Sequence, residues 1–354
     1  MGVTVREISQ LAQVSPITVS RVLNPRLDFP VAAETQRRVL EAAQELGYTP
    51  NRVARALATG RTQLVALWLP RISNVFYSQV IAAFNPLLKA DGYEMVISET
   101  RYADHLEELE EEEIDVHRMN AMHVDGVLIY DSPTWIPAYI RTGLQEKTPY
   151  CSLGIAWENT LPHILVDLYP ASRQAMTHLM ERGCRRIAFC TNASSLELTG
   201  EARLKAYRDV MAEAGLKPEY LPLAAETRLA ARNALPHYVR EHGCPDALFC
   251  RNDEIAIGFQ RGAHDLKLSL PADLAVIGCD GLAEGEYHVP SLSTIQQPLA
   301  QICRLGWEQL KRQMTDPGLS PTPQSIIAGF IPRESSQWQQ QNSETKIREG
   351  MERR

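Results

Sequence analysis

The chain has 354 residues, of which 44% are hydrophobic and 22% charged, a composition that excludes a mostly disordered protein. Its length predicts two or three domains. The seven cysteines include no CxxC pair, and no apolar stretch reaches the length of about 18 residues that spans a bilayer. We therefore expect neither a disulfide framework nor a membrane protein. No export signal precedes the first predicted helix, so we expect a cytoplasmic protein.

The net charge of −7 is unevenly distributed along the chain. Residues 1–60 hold seven arginines and five acidic residues, a net charge of +2, so the remaining residues carry −9. An excess of two positive charges is weak evidence for nucleic-acid binding. DNA binding therefore has to be judged from the pattern of residues.

Three helices are predicted in the first fifty residues. Thr4 and Glu7 form a capping box that begins the first helix. Ser15 caps the second helix, whose first residue is Pro16, and the third runs from about Ala33 to Leu46 and stops at Gly47. Two short helices joined by a tight turn and braced by a third are typical of a helix-turn-helix. The apolar faces consist of Ile8, Leu11 and Ala12, then Val19, Val22 and Leu23, then Val39, Ala42, Ala43 and Leu46.

The second helix of such a motif enters the major groove with its N-terminus first. Pro16 and Ile17 would then face base edges, and Arg21 could make a bidentate contact to guanine. Short polar residues suit phosphate oxygens, namely Thr4, Ser15, Thr18, Ser20 and Asn24. The alternative that Ser15 only caps the helix and that Arg21 is only solvated stays open.

The segments TVREISQLAQVSPITVSRVLN and ETQRRVLEAAQELGYTPNRVARALATGRT resemble the LacI/GalR family of bacterial repressors. The resemblance implies that residues 53–58 form a hinge helix that orders on operator DNA, with Leu57 as a wedge in the minor groove. Asn51, Arg52 and Ala54 would be the other DNA contacts of this hinge. Two residues depart from the family pattern: Gln13 stands where glycine is usual, and Ala32 where serine often caps the third helix.

From Thr62 onward, apolar strands alternate with amphipathic segments of helical length, which predicts parallel sheets wrapped by helices. Ligands bind such sheets beyond the carboxyl ends of the strands. The predicted strands are 63–70, 93–99, 124–131, 149–155, 185–191, 246–250 and 274–280.

The family resemblance extends over this region and implies a two-lobed sensor like a periplasmic sugar-binding protein, which closes on an effector. It is carried by ISNVFY, VDGVLIY, MERGCRRIAF, ARLKAY, RNDEIAIG, LPADLAVIGCDG and STIQQP. Aromatic faces can stack on a sugar ring, while Arg, Asp, Asn and Gln can bind hydroxyls or a carboxylate. The effector residues that the resemblance implies are Phe76, Tyr77, Asp131, Ser132, Arg203, Asn252, Asp280 and Gln297.

Each of these residues has a structural alternative. Phe76 and Tyr77 could belong to the core, and Asp131 could be a turn residue. Asp253 is better explained as a helix N-cap than as a ligand. Gly281 and Ala206 stand where the family often has aspartate and glycine. Trp135 and Trp157 follow strand ends and suit either the cleft or the core.

The motifs GxxxxGK[ST], GxGxxG, HExxH and GxSxG are absent from the sequence, so no cofactor, metal site or enzymatic activity is expected. The glutamates of residues 107–113 suit a solvated helix face. The C-terminal residues lack leucine heptads, so we expect a homodimer rather than a tetramer.

The predicted organisation is an all-α helix-turn-helix domain and hinge followed by an α/β two-lobed sensor and a polar tail, with boundaries at 1–48, 49–61, 62–335 and 336–354. The function that follows is a DNA-binding transcription regulator, a repressor by resemblance, controlled by a sugar, a sugar acid or a related metabolite. Two alternatives share the α/β class: a solute-binding protein, and an enzyme acting on a sugar or nucleotide.

Overall fold

A computed structural model describes residues 3–23, 31–48, 56, 60–99, 123–131, 148–155, 164–197, 200–316, 318–319 and 322–337. The chain divides into two compact units, an N-terminal unit of Met1–Gln63 and a C-terminal unit of Leu64–Arg354.

The N-terminal unit contains helices α1 (Val5–Leu11), α2 (Pro16–Leu23) and α3 (Ala33–Glu45). The predicted capping box begins α1, because the Thr4 hydroxyl accepts from the Glu7 amide and the Glu7 carboxylate accepts from the Thr4 amide at 2.7 Å. The core between the three helices is formed by Ile8, Ala12, Val19, Val22, Val39, Ala42 and Ala43.

The prediction of Leu11 as a core residue is wrong, since 44% of its surface is exposed. Successive helical residues are rotated by about 100°, so Leu11 points well away from Ala12. Helix α1 buries Ile8, Ser9 and its C-cap Ala12, with Val5 partly buried against the same core.

The turn between α1 and α2 holds Gln13 at a φ of 51°, in the left-handed region. Glycine adopts that region without steric cost, which explains why it is usual here and why Gln13 departs from the pattern. Two hydrogen bonds fix the turn: Val14 N donates to Ser9 O at 3.1 Å, and Arg38 Nη2 donates to Gln13 O at 3.4 Å.

The C-terminal unit alternates strands and helices, as predicted. Its strands are β1 (Leu64–Leu69), β2 (Glu94–Glu99), β3 (Gly126–Tyr130), β4 (Tyr150–Gly154), β5 (Ile164–Asp167), β6 (Ile187–Asn192), β7 (Glu219–Leu223), β8 (Ala247–Cys250), β9 (Ala275–Asp280), β10 (Ser293–Gln296), β11 (Gln324–Ile327) and β12 (Gly329–Ile331). Its helices are α4 (Val75–Ala90), α5 (Tyr169–Glu181), α6 (Ala202–Glu213), α7 (Arg228–His242), α8 (Asp253–Asp265) and α9 (Leu299–Thr315).

The strands form two six-stranded sheets, which define two lobes. Lobe N has the order β11-β5-β4-β3-β1-β2 with every neighbouring pair parallel, for example Leu67 opposite Leu128. Lobe C has the order β12-β10-β9-β8-β6-β7, and only β12 runs antiparallel to its neighbour. The chain passes between the lobes after β5, after β10 and between β11 and β12.

All seven predicted strands are present, but five further strands, β5, β7, β10, β11 and β12, were not predicted from the sequence. These strands have three to five residues each, and β7 contains Pro222, which lowers its strand propensity. Short segments with few apolar residues give too little alternation to be recognised.

Six of the seven cysteines are buried free thiols, as expected, whereas Cys244 is only partly buried. None of the helices in the described part of the chain is long and apolar enough to cross a membrane.

Candidate functional site

Helix α2 has a buried face and an exposed face. Val19 and Val22 pack into the core of the N-terminal unit. Four exposed residues recur on the opposite side at helical spacing, namely Pro16, Ile17, Ser20 and Arg21. Ile17 is 65% exposed, an unusual position for a large apolar side chain. The geometry suits a helix that docks its exposed face into a groove.

Several hydroxyls that the sequence suggests for phosphate contact are engaged within the unit. The Ser15 hydroxyl accepts from the Thr18 amide at 3.1 Å and lies 2.9 Å from the Thr18 hydroxyl, so Ser15 caps α2. The Thr4 hydroxyl lies 2.9 Å from a Glu7 carboxylate oxygen, to which it donates. The remaining predicted DNA contacts, Asn24, Asn51, Arg52, Ala54 and Leu57, lie outside the described residues.

In the C-terminal unit, the predicted effector residues collect at the carboxyl ends of strands from both lobes. Asp131 follows β3 of lobe N, while in lobe C Asp280 ends β9 and Asn252 lies two residues beyond the end of β8. Burial raises the pKa of both Asp131 and Asp280, and charges of the other lobe act on each: Arg203 and Arg251 oppose the rise at Asp131, while Asp131 adds to the rise at Asp280. The two sheet edges therefore enclose a common polar cleft.

Asp131 connects two elements of lobe N. Its carboxylate accepts from the Tyr77 hydroxyl at 2.9 Å and from the Ile155 amide at 2.8 Å. Burial raises the pKa of Asp131, and these two hydrogen bonds oppose that rise. Its φ of 50° is a left-handed conformation, which aspartate tolerates better than most residues.

Three aromatic rings lie next to Asp131. Phe76, Tyr77 and Tyr130 pack edge to face, with ring centroids 5.4 to 6.2 Å apart. Phe76 is only 3% exposed and belongs to the core of its lobe, whereas Tyr77 is partly exposed. The buried Tyr130 hydroxyl has no hydrogen-bond partner among the described residues.

Arg203 organises the wall of the cleft in lobe C. Its Nε donates to Glu201 Oε1 at 2.5 Å and its Nη1 donates to the Arg251 carbonyl at 2.6 Å. The other oxygen of Glu201 accepts from the Leu204 amide at 2.7 Å and so caps α6. Burial alone would raise the pKa of Glu201, but Arg203 and Arg251 hold it below its usual value. Glu201 therefore carries a buried negative charge.

A second ion pair in this wall, between the largely buried Glu226 and Arg251, was not predicted from the sequence. Arg251 Nη1 donates to both Glu226 carboxylate oxygens at 2.6 Å, and the Thr191 hydroxyl donates to Glu226 at 2.8 Å. Burial opposes ionisation of Glu226, yet Arg251 lowers its pKa below the usual value. The position of Arg251 directly after the predicted strand 246–250 was the only signal for this pair.

Asp280 and Gln297 are brought together, as Gln297 Nε2 donates to Asp280 Oδ1 at 3.1 Å. Burial and the nearby Asp253 raise the pKa of Asp280 well above its usual value. The buried Gln297 Oε1 has no hydrogen-bond partner in the described ranges. Gly281 must be glycine here, because its φ is 75° and a Cβ would lie 2.9 Å from Gln296 Cα.

The expectation that Asp253 caps a helix is wrong. Asn252 is the N-cap of α8, and its side-chain oxygen accepts from the Ile255 amide at 2.9 Å. Asp253 is fully buried one residue later, where it accepts from the Leu282 amide at 2.8 Å and the Thr294 hydroxyl at 2.7 Å. An aspartate at the first helical position can face inward and join β9 to β10, which sequence alone does not reveal.

The predicted effector residue Ser132 and the candidates Trp135 and Trp157 lie outside the described residues. The same holds for the glutamates of 107–113. Within the described ranges no group of three or more His, Cys, Asp or Glu side chains could hold a metal ion.

A helix-turn-helix unit followed by a two-lobed unit with a polar cleft defines the class of ligand-responsive DNA-binding proteins. Comparison with known proteins agrees. Residues 4–51 match the model of bacterial regulatory proteins, lacI family, and residues 176–336 match a periplasmic binding protein-like domain.

Relatives cover nearly the whole chain. Catabolite control protein A of Staphylococcus epidermidis is 30% identical, over 89% of this chain and 94% of its own length. A lac repressor dimer bound to operator and the anti-inducer ONPF is 23% identical, with a TM-score of 0.82 over 96% of this chain and 100% of that one. The transcriptional regulator CelR, solved in complex with cellobiose, is 25% identical, with a TM-score of 0.64 over 94% of this chain and 99% of that chain.

The chain belongs to the lacI family of bacterial regulatory proteins. It is a DNA-binding transcription regulator and not an enzyme, which confirms the function predicted from the sequence and dismisses both alternatives. The predicted fold class is likewise confirmed.

The buried Asp253 predicts a pH dependence of stability. Burial raises its pKa from 3.8 to about 6, so the folded protein holds this proton more tightly than the unfolded chain. Its contribution to stability is therefore full below pH 3.8 and is lost as the pH rises through 6. Urea unfolding of the wild type and Asp253→Asn should show the wild type losing stability relative to the variant over this window, by about 2–3 kcal/mol. A difference that stays constant with pH would contradict this assignment.

Proposed function

We propose that the chain is a repressor that binds a pseudo-palindromic operator as a homodimer and that a sugar-type effector in the cleft controls its operator affinity. The observation that carries the DNA-binding part is the exposed face of α2, with Pro16, Ile17, Ser20 and Arg21 opposite the buried Val19 and Val22. Because it works on DNA in a bacterial cell, we place it in the cytoplasm.

On the DNA, α2 lies in the major groove with Pro16 and Ile17 against base edges and Arg21 on guanine. Thr4, Ser15, Thr18, Ser20 and Asn24 position the domain on phosphates. Residues 53–58 form the hinge, where Leu57 inserts into the minor groove beside Asn51, Arg52 and Ala54. The proposed domain boundaries are those predicted, with the sensor at 62–335.

The dimer is supported by an apolar surface next to β9. Tyr287 and Val289 are 85% and 97% exposed, and the Gln260 side chain fixes their segment by donating to the Pro290 carbonyl at 2.9 Å. A rigid, exposed apolar segment suits a two-fold interface in which each copy presents the same surface. A dimer also matches an operator with two half-sites.

The effector part is supported by the polar cleft and by the relative solved with cellobiose. Tyr77 supplies the aromatic wall of the cleft, and the buried Phe76 packs behind it. Polar groups come from Asp131, Ser132, Arg203, Asn252, Asp280 and Gln297. Carboxyl, guanidinium and amide groups around an aromatic face are a common arrangement for binding the hydroxyls of a sugar.

The DNA assignment predicts that Arg21→Ala weakens operator binding. Loss of a bidentate guanine contact should cost about 1–3 kcal/mol and relax the preference at one base pair. Arg37→Ala is the matched control, since it removes the same charge from α3, where Arg37 pairs with Glu34 and Glu41. Fluorescence anisotropy on operator variants measures both effects. Equal losses of operator affinity in the two variants would show that Arg21 contributes only a general electrostatic attraction to DNA.

The dimer assignment predicts that Tyr287→Asp raises the dimer dissociation constant at least about thirtyfold, since a buried aromatic anchor commonly contributes about 2 kcal/mol. Sedimentation equilibrium measures this constant. The fold should be unaffected because Tyr287 is 85% exposed. If the variant has a wild-type circular dichroism spectrum and an unchanged dimer dissociation constant, Tyr287 does not belong to the dimer interface.

The effector assignment predicts opposite effects of Asp280→Asn on binding and on stability. Affinity for the sugar that binds the wild type best in a thermal-shift screen should fall at least about tenfold, through loss of one of the two carboxyl oxygens that bind sugar hydroxyls. The ligand-free melting temperature should stay level or rise, because the variant removes a buried carboxyl that repels Asp253 and Asp131. Asp265→Asn on the surface is the control. A variant with wild-type affinity would remove Asp280 from the site.

A further inference from the structure

The charges in the lobe C wall of the cleft are already paired within the protein. Arg203 Nε lies 2.5 Å from Glu201 Oε1, with both side chains at most 4% exposed. Arg251 Nη1 lies 2.6 Å from Glu226 Oε2, with both side chains at most 16% exposed. Each buried guanidinium thus has its own carboxylate, and neither needs a ligand to neutralise it.

Asp280 adds a third carboxyl group to this wall. Its charge acts on Arg203, whose guanidinium already pairs with Glu201. The hydrogen bond that the structure describes for the Asp280 side chain comes from the neutral amide of Gln297. In this wall the charges of the two arginines are therefore balanced by Glu201 and Glu226, and Asp280 adds a carboxyl group but no positive charge.

An anionic ligand is poorly suited to such a wall. It would be buried beside carboxyl groups, and to reach a guanidinium it would have to displace Glu201 or Glu226 from a close ion pair. An uncharged polyol fits better. Its hydroxyls can donate to the carboxyl oxygens of Asp131 and Asp280, and they can also pair with the two buried polar atoms that lack a described partner, Tyr130 Oη and Gln297 Oε1.

We propose that the effector is an uncharged polyol, and that Glu226 enforces this selectivity by holding Arg251 in an ion pair. The inference rests on the proposed effector site and narrows its ligand class, since sugar acids and sugar phosphates are excluded. Glu226 accepts hydrogen bonds from Arg251 and Thr191 at 2.6–2.8 Å and from Asn252 at 3.4 Å, so its own oxygens are occupied. Glu226 makes the cleft selective because the paired Arg251 guanidinium is not available to an anionic ligand.

The test combines two titrations of the full chain by calorimetry. The first compares neutral sugars and nucleosides with their aldonate and phosphate counterparts, and the neutral compound should bind at least about tenfold more tightly. The second uses inorganic phosphate, which the wild type should bind at least about tenfold more weakly than Glu226→Gln does. The variant Glu213→Gln, which breaks the exposed pair with Arg173, should behave like the wild type.

The double variant Glu226→Gln/Arg251→Gln separates a charge effect from a loss of structure. It should lose the phosphate binding that Glu226→Gln gains, while circular dichroism reports whether both remain folded. The proposal is overturned by an anionic sugar that binds more tightly than its neutral parent. It is also overturned by a wild type that binds phosphate as well as Glu226→Gln does, or by a folded Glu226→Gln that gains none.

Failure of the proposed function gives a different result. If no sugar or nucleoside of either charge binds the wild type, the sugar-type effector is wrong. The phosphate titration still decides whether the Glu226–Arg251 pair excludes anions, because it requires only the cleft and not the natural ligand.

Discussion

The buried ion pair between Glu201 and Arg203 is the interaction on which the cleft depends. Arg203 binds the Arg251 carbonyl where β8 ends and lies 3.7 Å from Cys279 Sγ near the end of β9, while Glu201 caps α6. Removing either partner would leave a buried charge uncompensated, which commonly costs about 3–5 kcal/mol. One charge pair thus fixes the start of a helix and the ends of two strands, which together form the wall that faces lobe N.

Lobe N complements this wall with aromatic rings and the carboxyl group of Asp131. The chain passes between the lobes three times, so the two walls can change their separation while the sheets stay intact. The charges of Arg203 and Arg251 attract Asp131, whereas Asp131 and Asp280 repel each other. A ligand that bonds to both carboxyl groups would favour the closed arrangement, and closure is the change that linkage can transmit to operator binding.

Much of this structure follows from local sequence. The capping box at Thr4, the cap at Ser15, the stop at Gly47 and seven of the twelve described strands are determined by neighbouring residues, so they could be predicted. The effector candidates were implied by the family resemblance, and Asp131 and Asp280 indeed lie at strand ends, where parallel sheets bind ligands. Glu226 could not be identified from the sequence. It follows β7, a strand that was not predicted because Pro222 lowers its strand propensity. The inward turn of Asp253 and the exposure of Leu11 depend on tertiary packing, which single-sequence patterns do not contain.

Occupation of the cleft should change operator affinity. The most direct test is the operator dissociation constant of the full chain, measured by anisotropy while a neutral sugar that raises the melting temperature is titrated in. The account predicts a change of about 5- to 150-fold that saturates with the sugar, and an equal change in sugar affinity when operator is present. Operator affinity that stays constant while calorimetry shows the cleft to be filled would contradict it.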